Sequence, residues 1–160
     1  MLWRDSMRCP KCGGMVHPNE PCQDCGIDYD DMIAGISHPE MKKLFKRIEK
    51  LESEHESIEI ESSLMACELE NSSLILPAKI DDESWGFVVL PGPNDRQYIA
   101  LCTDMKEYDK CFSELVPLTN SWKRQLRLLD IGADGFVINP LGEACFLERE
   151  FLERFFAGDE

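Results

Sequence analysis

Apolar residues recur along positions 41–58 at alternating spacings of three and four: Met41, Leu44, Ile48, Leu51, His55 and Ile58. This is the a/d stripe of an amphipathic helix of about two and a half heptads, flanked on both sides by charge. Ser37 stands where an N-cap belongs, with Pro39 in the first turn and Glu40 three residues on as a capping box. So narrow a stripe has two readings. Either a linker helix lays it on the chain's own globular part, or it is the seam of a short homodimeric coiled coil through residues 41–58. The first is favoured, because three to four heptads would be needed to assert the second. His55, at a seam position, reads as a boundary residue.

Helical character resumes over residues 62–70, and three strand-like runs follow at 73–80, 85–90 and 97–102. Their links, Asp81-Asp-Glu-Ser84 and Pro91-Gly-Pro-Asn-Asp95, are short and turn-rich, which predicts an antiparallel meander. Pro77 cannot donate to a ladder, so the first run is expected at a sheet edge. Thr103-Asp104 caps a helix, with Glu107 completing the box and Met105, Tyr108, Cys111 or Phe112, and Leu115 on one face. A short strand around 115–118 precedes a helix capped by Thr119 or Asn120, carrying Trp122, Leu126 and Leu129 inward and ending at Gly132. Gly135-Phe-Val-Ile138 reads as a buried strand closed by Asn139-Pro140. Residues 143–147 return, and a last helix carries Phe151, Leu152, Phe155 and Phe156 inward. The predicted class is α+β, a mixed and largely antiparallel sheet packed with helices.

Ahead of these elements stand two C-x-x-C-G knuckles, Cys9/Cys12 and Cys22/Cys25, each followed by glycine. Two cysteines at this spacing set both sulfurs on one ion when the backbone turns tightly around it, and Gly13 and Gly26 accept the positive φ of that turn. Nine residues, 13–21, separate the knuckles, enough for a short hairpin. Cys9, Cys12, Cys22 and Cys25 are therefore expected to form a closed structural Zn²⁺ site, with His17 as a loop residue. Four thiolates leave no open coordination position, which favours structure over catalysis. Paired C-x-x-C motifs without a secretion signal also favour metal over disulfides. The organisation expected is a zinc ribbon over 1–30, a charged linker helix over 31–61 and an α+β domain over 62–160.

Composition sharpens this. The 160 residues hold 17 basic and 31 acidic side chains, a net charge of −14. Residues 1–26 sum to zero, 27–57 to −3 and 58–160 to −11. The large domain therefore repels nucleic acid and anionic membrane, and a polyanion could meet only the front of the chain, at Lys42, Lys43, Lys46, Arg47 and Lys50. No apolar run approaches the ~20 residues that span a membrane, and no signal-peptide h-region opens the chain. Translation starts at Met1 or at Met7, just before the first knuckle. Cys67, Cys102, Cys111 and Cys145 lack motif spacing and are expected as small buried hydrophobes in a reducing compartment, the cytoplasm.

Several stretches resemble the SseB-type N-terminal domain, over roughly residues 62–157. They are Leu74-Ile-Leu-Pro-Ala78, the strand-to-helix junction Leu101-Cys-Thr-Asp104, the run Gly132-Ala-Asp-Gly-Phe-Val-Ile-Asn-Pro140 and Leu147-Glu-Arg-Glu150. Leu101 departs from a common aromatic and Leu141 from a common glycine. The resemblance implies an α+β accessory or binding module, and it carries over no enzymatic activity and no ligand for Thr103 or Asn139. Capping and turn formation are the roles expected of those two.

Three functions follow. The favoured one is a non-enzymatic zinc-binding adaptor whose partner is a protein. The second is a nucleic-acid-associated factor using the ribbon and Lys42–Lys50. The third is a thiol-based sulfur-carrier accessory using Cys102, Cys111 or Cys145. Histidine occurs only at 17, 38 and 55, so a cysteine of the large domain would have to find its base outside residues 62–160.

Overall fold

A computed structural model describes residues 7–8, 15–16, 22, 24–80, 85–112, 114–119 and 121–156. Strand β1 (Met7–Arg8) pairs antiparallel with β2 (Met15–Val16). Three helices follow: α1 (Tyr29–Ala34), α2 (Pro39–Ser53) and α3 (Glu59–Glu70).

Helix α2 departs from the expected linker. Its N-cap is His38, one residue beyond Ser37, and no side chain caps it. It stops at Ser53, and His55 turns the chain with a left-handed φ of 57°. His55 and Ile58 therefore lie outside the helix, and the stripe ends with Leu51. Phe45 joins Met41 in the buried core, with Leu44 and Ile48 packed against it. The apolar face is thus the broad one of a core helix. Of the seam positions, Met41 is buried in the core shared with the sheet, and Leu44 and Ile48 are partly buried against it.

Strand β3 (Ile75–Ile80) lies between β4 (Trp85–Phe87) and β7 (Val116–Thr119), antiparallel to both. This corrects the expected edge position. Pro77 is tolerated centrally because it stands opposite Pro117, and neither has an N–H to offer the other. On the other side, pairing with β4 begins only at Ala78. The second sheet has the order β5 (Val89–Pro91), β6 (Gln97–Leu101), β8 (Gly135–Ile138), β9 (Cys145–Glu148). The expected meander is present, since β4 and β5 follow each other on either side of Val88. The two sheets are joined there, where Ala100 N–H donates to Val88 O at 3.0 Å, and at Ile75 and Cys102, which exchange two backbone bonds of 2.8 Å.

The pair β6/β8 is parallel, and β8/β9 and β5/β6 are antiparallel. A parallel pair needs a crossover. Here it runs through α4 (Met105–Cys111), β7, α5 (Trp122–Leu126) and a 3₁₀ turn over Arg127–Ile131. β8 is buried at every position, as a central strand covered on both faces must be. Gly135 opens it because a Cβ there would collide with the carbonyl oxygen of Leu147 in β9. The cap of α5 is Ser121, whose Oγ accepts from Arg124 N–H at 3.4 Å, and not Thr119 or Asn120. The Thr119 hydroxyl instead donates to Ser73 O at 3.0 Å, tying β7 to the start of β3.

One core lies under the sheet, where Trp122 packs on Phe136 and Phe156 at ring distances of 5.4 and 5.5 Å. Phe156 and Leu152 come from the last helix, α6 (Arg149–Phe156), with Phe151 and Phe155 packed at its edge. Alternation along β3 sends Ile75 to the opposite side from Leu74 and Leu76, where it joins a second cluster with Cys102, Tyr108 and three residues of or next to α1: Met32, Ile33 and Ile36.

If α2 belongs to the core, Phe45→Ala should lower the urea-unfolding free energy by about 3–5 kcal/mol, as buried aromatic truncations do. Ile60→Ala, on the outer face of α3 with its side chain 72% exposed, should change it by less than about 0.5 kcal/mol. Equal, small effects would place α2 outside the core.

Candidate functional site

The second knuckle folds as its sequence demands. Gly26 N–H donates to Cys22 O at 2.8 Å and Cys22 N–H to Ile27 O at 2.9 Å. Gly26 sits at φ 76°, where other residues are strained. This closed turn around Cys22 and Cys25 suits a thiolate pair on one ion. Cys22 is buried and Cys25 exposed. Cys22 packs in the second cluster, against Met32, Ile33 and Tyr108. The knuckle is therefore seated on the α+β domain. The Tyr108 hydroxyl, buried in the same cluster, has no hydrogen-bond partner among the described residues, and burial first and then Cys102 raise its pKa. Cys9 and Cys12 lie outside the described residues, among which no group of three or more His, Cys, Asp or Glu could hold an ion.

A polar junction forms where the parallel strands end side by side. Asn139 N–H donates to Leu101 O at 2.9 Å. Its Oδ1 accepts from Thr103 N–H at 3.0 Å, and its Nδ2 donates to Thr103 Oγ1 at 3.0 Å. The Thr103 hydroxyl donates in turn to Asp104 Oδ2 at 3.0 Å, and Asp104 Oδ1 caps α4 through Glu107 N–H at 3.0 Å. Asn139 holds φ 56°, which asparagine tolerates better than most residues. Thus Asp104, and not Thr103, is the cap, and Asn139 bolts β8 to β6 as well as turning the chain.

Charges gather above this junction. Buried Glu107 accepts from Lys110 at 2.9 Å and Lys42 at 3.4 Å, and Lys42 also reaches Asp104 at 3.5 Å. Burial raises the Asp104 carboxyl, but the bonds from Glu107 N–H and the Thr103 hydroxyl, with the Lys42 charge, outweigh it and hold the group below its usual range. Lys42, Lys43, Lys46, Lys110, Glu107 and Asn139 line a cavity of about 330 Å³. The ends of parallel strands are where open α/β sheets place ligands. Here the cations of that cavity are met by carboxylates: Lys46 is 3.7 Å from Glu143 and Lys43 is 3.3 Å from Glu40.

His38 ties α2 to the same junction. Its Nδ1–H donates to Thr103 O at 2.8 Å, and its Nε2 accepts from Ser73 N–H at 3.1 Å. These partners fix the neutral tautomer with the proton on Nδ1. Burial lowers its pKa, against the raising effects of the Thr103 carbonyl, Asp104 and Glu68. A reading that placed the domain at 62–160 left this histidine out; no local pattern marks it, because both contacts are long-range.

The remaining thiols do not behave alike. Cys67 is exposed on α3, contrary to expectation. Cys102 is buried, and nothing is described of the Cys111 side chain. The Cys145 thiol is pushed up to about 12, by burial first and then by the charge of Glu52. An activated nucleophile needs the opposite shift.

The fold and these groups define an α+β protein with a mixed sheet, in which no helix of the described residues is long and apolar enough to cross a membrane. Compared with known proteins, the chain matches no family model, no curated protein and no solved structure.

A pH experiment checks the role of His38. Its folded pKa lies below the ordinary value of 6.5, so as pH falls the unfolded chain takes up the proton first. Its stabilisation is complete above about pH 6.5 and is lost as pH drops towards the folded value. Between pH 7.5 and 5.5 the urea midpoint of the wild type should fall more than that of His38→Gln. Parallel profiles would remove His38 from the account.

Proposed function

We propose that this chain is a non-enzymatic, zinc-binding protein-interaction module of the cytoplasm with an SseB-like domain. The observation that carries it is the Cys22–Gly26 turn, closed as a metal knuckle and seated through buried Cys22 on the domain. With Cys9 and Cys12 completing the tetrahedron, the ion would have no open position for a substrate. The order α3, β3, hairpin, Thr103-Asp104 junction, β8 closed by Asn139-Pro140, β9 and α6 supports the likeness to SseB-type domains.

The nucleic-acid reading is weakened by the same geometry. Of the five cations on α2, Lys42, Lys43, Lys46 and Arg47 face carboxylates, Arg47 meeting Glu61 at 2.8 Å. A cation already neutralised releases few counterions from a phosphate backbone. The sulfur-carrier reading is weakened by the raised Cys145 thiol. A homodimer through 41–58 would have to withdraw Met41, a seam position, from the core.

Zinc-replete, reducing purification should yield one equivalent of zinc per chain. Cys25→Ser should lose it and lower the thermal midpoint of the whole protein, since the knuckle rests on the main sheet. Less than about half an equivalent in the wild type would sink the metal site. The full zinc-loaded chain, used as bait in a lysate of its source organism, should retain a protein partner after nuclease treatment. Filter binding to RNA and DNA in a salt series should show no salt-dependent retention, and strong retention at low salt would favour the second function.

A further inference from the structure

A second cavity, of about 550 Å³, opens between the α2/α3 hairpin and strand β9. Its apolar lining includes Phe45, Ile48, Met65, Phe146 and Phe151. The six consecutive residues 143–148 also line it. A strand seen face-on offers only every second side chain, so the groove runs along the edge of β9. That edge is open: β9 pairs only with β8, and residues 145–148 make no other backbone hydrogen bond among the described residues. An open strand edge is a template for a further strand. Phe146, 38% exposed, stands there edge-on to Tyr98 at 4.9 Å.

The rim decides what could fill it. Glu49, Glu52, Glu143 and Glu148 surround the apolar floor. Glu143 faces Lys46, and Glu148 is held by Arg96 at 2.9 Å and by the Tyr98 hydroxyl at 2.6 Å. Glu49 and Glu52 have no ion pair among the described residues, and the charge of Glu52 is felt at Cys145 inside the groove. Apolar floor, open strand edge and two uncompensated carboxylates select an extended cationic segment. A second copy of this chain, with a net charge of −14, is repelled.

We propose that this groove binds an extended segment of a partner protein, which adds as a strand to β9 and sets lysines or arginines against Glu49 and Glu52, with apolar side chains between them. This rests on the interaction-module reading and names the chemistry of its partner.

The probe is a labelled peptide, acetyl-Lys-Val-Lys-Val-Lys-Val-amide, titrated by fluorescence anisotropy into the zinc-loaded full chain. Binding is expected, and the double charge reversal Glu49→Lys with Glu52→Lys should weaken it about tenfold or more. Phe146→Asp should do the same. Glu70→Lys with Asp109→Lys, an equal charge change on residues that do not line the groove, should stay within about twofold. Two peptides, each methylated on one of the two alternate sets of backbone nitrogens, should differ: the set that faces β9 should lose about tenfold, because those donors make the ladder, and the set that faces away should not. Equal weakening by both double reversals would reduce the effect to general attraction and overturn the proposal. Undiminished binding of both methylated peptides would exclude strand addition. A wild type that is dimeric and becomes monomeric with Phe146→Asp would assign the groove to a second copy. The surface reversals at 49 and 52 keep the test decisive if Phe146→Asp fails to fold. A host partner still captured by the Glu49→Lys, Glu52→Lys protein would overturn the groove while leaving the interaction reading standing.

Discussion

The parallel pairing of β6 with β8 is the constraint on which the rest of the structure turns. Among the described residues it is the one parallel pairing, and it obliges the chain to leave Leu101, build α4, β7 and α5, and return at Gly135. Two strand ends are thereby brought together, and both would present unsatisfied backbone groups. Asn139 resolves this with one side chain whose amide accepts from Thr103 N–H and donates to Thr103 Oγ1. Leaving such buried groups unpaired would cost about 1–3 kcal/mol each. Aspartate, which accepts but does not donate, could make only half of this pair. The junction is thus a structural solution first, and its polarity does not by itself imply catalysis.

Around that point the front of the chain is fastened in three places. His38 bridges Thr103 O and Ser73 N–H, Lys42 reaches Asp104 and Glu107, and Cys22 enters the cluster that holds Cys102 and Tyr108. A metal-folded stretch hung on a free stalk would gain its binding energy locally. Cys22 packs with Ile75 and Tyr108, so an ion bound there, as proposed, would share its binding energy with the sheet and couple to the stability of the domain.

What could be read in the sequence follows the range of the forces involved. Gly135–Ile138, the α4 cap at Asp104, the Phe156 helix and the Gly26 turn were legible, because each depends on neighbours within a few residues. The alternating spacings of three and four at Met41–Leu51 correctly announced a helix, but the width of its buried face was hidden. Phe45 faces the core only because α3 and the sheet complete the site around it. The missing N–H of Pro77 by itself points to a sheet edge, whereas the fold places it centrally with a second proline opposite. Thr119 looked like a cap and is a tether, since Ser73 O lies across the sheet from it. In the polar junction, Thr103, Asp104 and Glu107 were visible as a local cap. Lys42, His38 and Asn139 reach them from 36 or more residues away along the chain, a pairing no local pattern encodes.

Charge closes the argument. With 17 basic and 31 acidic groups, every cation spent internally leaves the surface more acidic. Lys42, Lys46 and Arg47 are spent on Asp104, Glu107, Glu143 and Glu61, and Arg96 on Glu148 and Glu150. The pairs exposed on both sides, Lys46–Glu143 and Arg96–Glu150, add little stability, about 0–1 kcal/mol each. Their larger effect is on the surface charge: four of the five cations of α2 face carboxylates where they stand, while Glu49 and Glu52, beside an apolar groove, have no ion pair among the described residues. A surface arranged in this way repels phosphate and attracts amines and guanidinium groups.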